Sequence, residues 1–441
     1  MSMLLNGISG LNAANAGMVT VSNNVANAYV DGYSRQAIQL ATAPSGVKLV
    51  NIDRIVNSFL NQDIWRAQSD LSAFMSKETH VGMMEQVVGN ESLNLEAAIN
   101  SIEDAFNAAM SSPADPAYRQ QIVSASEGLT TQVSQLNGAL DDLQSRMANE
   151  LSFSSNEANS YLTRIGEINE QVKRSEALGQ PTAMLRDQRE QLINELSSYI
   201  AVDAYEHDDG SVSLSTSNGA PLVTGTDVGT IEVVGTDVSV NLRGRTFAVS
   251  SNIGGRIGGI LDALHDVIQP QIGSLNSMLA DMADKVNLAL SEGFDLNDDP
   301  GVPLFDYDPI NPMATLSLGP DITPDKLALG GRVPDGMGGW IPEGGIGNNS
   351  NIANVSDVLS KATVDYSSII GELAIFSQQT TSGRETAQDL SDNAIAARDS
   401  ISGVNMDEEA ANLVQYQRLY EANARVISVA EETFRTLLNA F

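Results

Sequence analysis

His80, His207 and His265 are the only three histidines, and imidazole is the group best suited to proton transfer or metal binding at neutral pH. Either task needs them near one another or near a nucleophile, yet they stand far apart in sequence, with no metal-ligand spacing and no Ser or Cys motif to serve. Cysteine is absent, so there is no thiol nucleophile, no disulfide framework and no cysteine metal site. Asp295, Asn297 and Asp299 have the first three spacings of a calcium loop, with Asp306 at the twelfth place. Pro300 occupies the turn position that needs glycine, and no Glu stands at the twelfth place, so a solvated Asp- and Asn-rich loop fits better. Gly254, Gly255, Gly258 and Gly259 precede a helix as a phosphate loop would, but Arg256 breaks the glycine pattern and the Lys with Ser or Thr is missing. A tight strand-to-helix turn accounts for them. No catalytic, metal-binding or cofactor-binding residue is assigned, and the chain is read as no enzyme.

The elements that would have to position such groups are more telling than the groups. Residues 1 to 30 place Leu4, Ile8, Leu11, Ala14, Met18, Val21 and Val25 in steps of three and four, one stripe along a helix. At the other end, Leu413, Tyr416, Tyr420, Ile427, Ala430, Phe434, Leu437 and Phe441 form a second stripe. Within it Leu413, Tyr420, Ile427, Phe434 and Phe441 are each seven residues apart. Residues 1 to 30 contain no Asp, Glu, Lys or Arg, but six Asn and three Gly. At about 1 kcal/mol per Gly and about 0.6 per Asn, the helix is disfavoured by about 6 to 7 kcal/mol with no charge pairs to offset it. Covering its apolar side chains returns on the order of 9 to 18 kcal/mol as an upper bound, given a partner surface. The segment is therefore expected to be disordered alone and to fold on assembly. An ordinary intramolecular core explains part of both stripes, since the terminal helices can pair within one subunit, but residues 1 to 30 offer more surface than one helix covers.

Between the ends, residues 37 to 50 read as a connector interrupted by Pro44 and Gly46. Helices are expected over about 53–88, 93–110, 116–178 and 182–198. The third carries Ile122, Leu129, Val133, Leu136, Leu140, Leu143 and Met147 on one face. Residues 200 to 250 alternate in short runs, with Asp209-Gly210 and Asn218-Gly219 as hairpin dipeptides. Helical spacing resumes over about 257–290, where Pro270 predicts a kink or break. Residues 293 to 347 hold eight of the 14 prolines and eleven glycines, which excludes a helix and leaves short strands and ordered loop. Two helices follow, about 355–401, with Ile369, Leu373, Phe376, Leu390, Ala394 and Ala397 inward, and about 406–441. Asn405 with Glu408, beside Asp407 and Glu409, suits a capped start to the second.

The 441 residues allow two to four domains. A net charge of -32 argues against nucleic acid and against anionic lipid. No apolar run approaches a membrane span, and no cleaved secretory signal is recognised at the start, so any export is expected to use another route.

Asn23, Asn24, Val25, Ala26 and Asn27, followed by Gly32, Tyr33, Ser34, Arg35 and Gln36, resemble the N-terminal signature of axial proteins of the bacterial flagellum: rod, hook and hook-associated proteins. Ala28, Tyr29, Val30 and Asp31 depart from the Asn, Thr, Pro type of turn usual there. The stretch from Asn405 to Phe441 resembles the end of the hook-associated FlgK family. Within it the start at Asp407, Glu408 and Glu409, followed by Ala410, Ala411 and Asn412, separates that family from hook and rod proteins. Residues 254 to 261, with Val286, Asn287, Gly293, Phe294 and Asp295, resemble its inner helical segment. The stretch between looks shorter than in larger members, which implies that an extra outer domain is absent.

The fold expected is mainly α with an inserted β-domain. Residues 1–50 with 402–441 would form a terminal coiled coil, disordered in the monomer. Residues 51–199 with 256–299 and 354–401 would form a shaft of long helices, and 200–255 with 300–353 a small antiparallel β-domain projecting outward. The function expected is a structural subunit joining hook to filament by self-assembly through the terminal stripes. The resemblance implies several partners: copies of the chain in a ring or tube segment, hook protein, a second hook-associated protein, and an export chaperone on the C-terminal helix. It also implies a place outside the cell, in the flagellum, reached through the flagellar export channel. A hook or rod protein is the alternative within this class; outside it stands a secreted adhesin or enzyme displaying the β-domain.

Overall fold

The computed structural model describes residues 2–30, 32–249 and 253–439. The chain opens with α1 (Ser2–Ala26), then an antiparallel ribbon of β1 (Gln36–Ala43) and β2 (Gly46–Arg54). Four helices follow: α2 (Ser58–Val88), α3 (Leu95–Ala109), α4 (Pro116–Ala177) and α5 (Ala183–Ser197). Seven short strands come next: β3 (Val202–Glu206), β4 (Val212–Thr216), β5 (Pro221–Thr224), β6 (Asp227–Val228), β7 (Thr230–Val234), β8 (Asp237–Leu242) and β9 (Arg245–Val249). After α6 (Gly255–Ala263), a π-helical turn over Leu264–Ile268 and α7 (Gln269–Ser291), the proline-rich stretch holds β10 (Phe305–Asp306), α8 (Pro312–Thr315), β11 (Ser317–Leu318), β12 (Arg332–Pro334) and β13 (Trp340–Pro342). The chain then runs through α9 (Ile352–Ser402) and α10 (Met406–Leu438). The fold is mainly helical with small antiparallel sheets, as the sequence periods require.

The ribbon is a finding the sequence reading missed. Pro44, read as an interruption of a connector, sits in its turn and Gly46 opens β2, and both strands stay largely exposed, so no alternating apolar pattern announces them. Pro270 does mark a break. The π turn falls one turn ahead of it, where the ring of Pro270 would otherwise meet the carbonyl four residues back.

The chain divides into two compact units. One comprises Met1–Ala73, Leu151–Gly258 and Arg384–Phe441; the other comprises Phe74–Glu150 and Gly259–Gly383. In the second unit, helices pack side by side over a core of Ile99, Ile102 and Phe106 from α3, Leu129, Val133, Leu136, Leu140 and Leu143 from α4, Leu279, Met282 and Val286 from α7, and Leu359 and Leu373 from α9, all buried. Arg119, 2% exposed, fastens the loop before α4 and the 320s loop to that helix: it donates to the carbonyls of Pro113 at 2.5 Å, Pro324 at 2.9 Å and Leu327 at 2.7 Å. Burial lowers its pKa, opposed by Asp325 and Asp295.

In the first unit two sheets, ordered β3-β4-β5-β6 and β7-β8-β9, are joined to α4 by amides that mimic a neighbouring strand. Asn169 donates to the carbonyls of Val212 and Gly225 and accepts from the Val212 N–H, while Asn159 exchanges both bonds with Ile231. Residues 200–255 and 300–353, expected to share one β-domain, fall in different units, and no strand pair links their sheets among the described residues. The short runs after residue 300 pair only with each other because prolines and glycines stop them after two or three residues. Late in α9, Leu390 and Ala397 are exposed rather than inward; the buried face there runs through Ala387, Ser391 and Ser402, small and polar residues that an apolar count passes over.

The glycines at 254 and 255 form the strand-to-helix turn, both with positive φ. A Cβ at Gly255 would strike the backbone of Tyr199 and Ile200, so that turn needs glycine for space as well as for conformation. Asp295 Oδ1 accepts from the backbone N–H groups of Asn297 and Asp299, closing its own loop as an Asx turn.

Candidate assembly interface

The surface that matters is built on α1 and α10, which run antiparallel. They meet along glycine: a Cβ at Gly7 would stand 2.8 Å from Ile427 Cγ1, one at Gly10 would overlap the Asn423 amide, and one at Gly17 would stand 2.6 Å from the Tyr416 ring. Each seven-residue step along α1, from Gly10 to Gly17 to Asn24, is matched by a seven-residue step back along α10, from Asn423 to Tyr416 to Glu409. The first two rungs are close approaches of backbone to side chain. The third is polar.

That third rung is a closed hydrogen-bond node. Asn24, 1% exposed, donates through Nδ2 to Glu409 Oε2 at 3.0 Å and to the Gln36 carbonyl at 2.9 Å. Its Oδ1 accepts from Tyr33 Oη at 2.8 Å and from the Gln36 N–H at 3.0 Å. Glu409, also 1% exposed, is paired at 2.8 Å with Arg35 Nε, while Arg35 Nη1 reaches Glu408 at 2.8 Å and the Arg35 N–H donates to the Ser402 carbonyl. Every polar atom of the Asn24 side chain is thereby used, which a buried amide requires. Burial, with Asp187 and Glu409 nearby, pushes the Tyr33 hydroxyl up to about 12, so it stays a donor at all ordinary pH.

Arg35 leads into β1 and Arg54 ends β2, opposite Gln36, so the base of the ribbon carries two arginines. The second faces α5: Arg54 lies 2.7 Å from Asp187 and 2.6 Å from Glu190, and Asn61 of α2 donates to Glu190 at 3.0 Å. At the far end of the ribbon, Ser9 of α1 donates to the Ser45 carbonyl and accepts from the Val47 N–H. The ribbon thus ties the terminal pair to α5.

Asp187 yields a pH prediction. Burial outweighs the attraction of Arg54, and Glu190 adds repulsion, so its pKa rises from 3.8 to about 6. The folded state holds this proton more tightly than the unfolded chain. The group therefore adds stability as pH falls through about 6, complete below about 4, by no more than about 3 kcal/mol. Urea midpoints of the unaltered chain and Asp187→Asn, measured between pH 7.5 and 4.5, should diverge in that sense; a pH-independent gap would refute it.

Among the stripe residues, Ala14 and Val21 are buried, Leu4, Leu11, Met18, Leu413, Tyr416, Ile427 and Ala430 are half-buried, and Ile8, Val25, Tyr420, Phe434 and Leu437 are exposed. Phe441 lies outside the described residues. Of the motif residues, Asn24, Tyr33, Arg35, Gln36, Glu408 and Glu409 meet in the node. Ser34 is buried beside Arg54, which reaches its hydroxyl at 3.4 Å. Gly32 has φ +76 and packs on Gln191, the Asn23 carbonyl accepts from Asn27 Nδ2 just past the end of α1, Asn412 is half-buried, and Asp407 donates its N–H to the Asn405 cap. Arg54, Asp187, Glu190 and the glycine seam were missed. The seven-residue spacing of Gly10, Gly17 and Asn24 was the available signal, hidden because glycine carries no apolar weight.

Residues 81–305, about half of the chain, match the model of the flagellar hook-associated protein FlgK helical domain. The chain belongs to the FlgK family. Residues 398–440 match the C-terminal model of flagellar basal body rod FlgEFG proteins, so the α10 side of the seam lies in a segment similar to that of rod proteins. This FlgK-family chain is similar over its full length to flagellar hook-associated protein 1 of Salmonella typhimurium, 25% identical with 100% of each chain covered. It is 23% identical to those of Escherichia coli, covering 99% of each, and Bacillus subtilis, covering 97% of this chain and 96% of that one. The solved structure of the flagellar hook junction protein FlgK from Burkholderia pseudomallei has the same fold, with TM-score 0.69 at 14% identity, covering 77% of this chain and 100% of that one. The family is one of flagellar structural proteins. No described helix is long and apolar enough to cross a membrane.

Proposed function

We propose that this chain is a structural subunit of the junction between flagellar hook and filament, and that it assembles by covering the outer faces of α1 and α10 with other copies and with neighbouring flagellar proteins. The observation that carries this reading is what remains bare once the two helices have paired. Leu5, Ile8 and Val19 on α1, and Val414, Leu419, Val429, Phe434 and Leu437 on α10, stay exposed. So many large apolar side chains on one helix pair mark an interaction surface. Export through the flagellar channel, a chaperone on the C-terminal helix, and contacts to hook protein and a second hook-associated protein belong to the same proposal, supported by full-length similarity to hook-associated proteins. The N-terminal segment, weak as an isolated helix, would fold for good only in the assembled tube.

The match of residues 398–440 to rod proteins favours a second reading, a hook or rod subunit. Ile8→Asp with Val19→Asp separates the two. In cells carrying this variant alone, hooks of normal length without filaments, with the chain itself in the medium, are expected under the junction reading. Loss of hooks supports the second reading, and normal motility refutes both.

A further inference from the structure

A helix seam that repeats every seven residues has a register problem. If α10 slid by one repeat so that Asn423 faced Gly17, Ala430 would face Gly10, and both rungs would again place a side chain over glycine. Close approach alone cannot tell the two frames apart. The polar rung can. In the slipped frame Asn24 faces Tyr416, and Glu409 falls beyond Ala26, the last residue of α1, away from Asn24. A slide the other way sets Glu409 against Gly17, which has no side chain to answer it. Either slip breaks the buried bond from Asn24 Nδ2 to Glu409, the kind of polar contact by which single buried groups fix register in helix pairs.

We infer that Asn24, Arg35 and Glu409 are positioning residues that set the axial register of α1 on α10, selecting one frame of a seam that is otherwise degenerate by one heptad. Arg35 acts because it enters the node from outside the helix pair: its N–H is held by the Ser402 carbonyl, and its own carbonyl accepts from the Ile55 N–H. The site on α10 that it can reach is thereby fixed. Register in turn decides which exposed residues of the two helices form one face. A one-heptad slip moves Val414 and Leu419 by about 10 Å relative to Ile8 and Val19. The inference rests on the seam itself and not on where the protein assembles.

The absence of cysteine makes the test direct, since any introduced pair is the only disulfide the chain can form. Gly10→Cys with Asn423→Cys reports the observed frame, because a Cβ at position 10 lies against the Asn423 side chain. Gly17→Cys with Asn423→Cys reports the slipped frame. Both pairs are oxidised in a glutathione buffer in the full-length chain within flagella, where the terminal helices are paired and covered, with position 409 as Glu, Gln or Leu. With Glu409 intact the first pair should close and the second stay at background. Glu409→Leu, which removes the polar demand and keeps a helix-compatible apolar side chain, should lower the ratio of observed to slipped cross-link by about tenfold or more, and Glu409→Gln should lie between. A ratio unchanged in Glu409→Leu, a slipped pair that closes as readily as the first with Glu409 present, or no cross-link in either frame would each overturn the inference. A role in stability alone would weaken both cross-links together and leave their ratio unmoved.

Discussion

Gly17→Leu is expected to part α1 from α10 and to abolish assembly while the rest of the chain stays folded. Even a bare Cβ at this position stands 2.6 Å from the Tyr416 ring, and Tyr416 is itself drawn into the seam, with its hydroxyl pKa raised by burial and by Glu409. A leucine adds three further carbons to a space that cannot hold the first. The helices must separate, and with them go the Gly10 approach and the Asn24 node one heptad on either side. Overpacking costs about 1 to 3 kcal/mol where neighbours can shift; here the neighbour is a second helix, so the upper end of that range is expected for the pair. Gly82→Ala on α2 is the matched control. Nothing lies within 4 Å of the added carbon, so the exchange should stabilise the chain by up to about 1 kcal/mol. Thermal melting of the two variants, with filament counts in cells carrying each, checks the contrast; equal behaviour would contradict the close seam.

The second large effect is expected at Arg119. Its guanidinium is buried among three backbone carbonyls, from the loop before α4 and from the 320s loop, with no carboxylate bonded to it among the described residues. Arg119→Ala removes three charge-assisted bonds and leaves their acceptors without a donor in a site that water reaches poorly. A loss of about 3 to 5 kcal/mol follows. Arg119→Lys should recover little, because one ammonium on a flexible stem cannot span the acceptors that the planar fork reaches. Urea unfolding measures the loss, and proteolysis within residues 319–331 should appear first; a loss below 1 kcal/mol would show that the loops hold without it.

Much of the helical framework was legible. The apolar spacing over 116–178 predicted α4 within one residue of its observed end, and the seven core positions named for it are all buried, because a long buried face leaves a strong 3.6-residue signal. The cap at Asn405 was legible for a similar local reason: its side chain accepts from the Asp407 and Glu408 N–H groups. What stayed hidden was non-local or unsigned. The pairing of Arg35 with Glu409 spans nearly the whole chain, and each residue alone is an ordinary charge. The face of α1 that packs on α10 stayed unmarked because glycines make the contact, while the larger side chains at Ile8 and Val25 turn away from α10. The β1-β2 ribbon escaped because a two-stranded element held at its base by arginines and at its tip by Ser9 needs little apolar alternation.

Hydrogen exchange along α1 and α10, compared between the dilute chain and the same chain in sheared flagella, bears most directly on the claim that the outer faces of this helix pair are covered only in company. Amides of residues 2–26 and 406–438 should exchange much faster in the dilute chain and become strongly protected in the assembly, while those of α3 and the first half of α4 change little. Equal protection of the terminal helices in both states would contradict it.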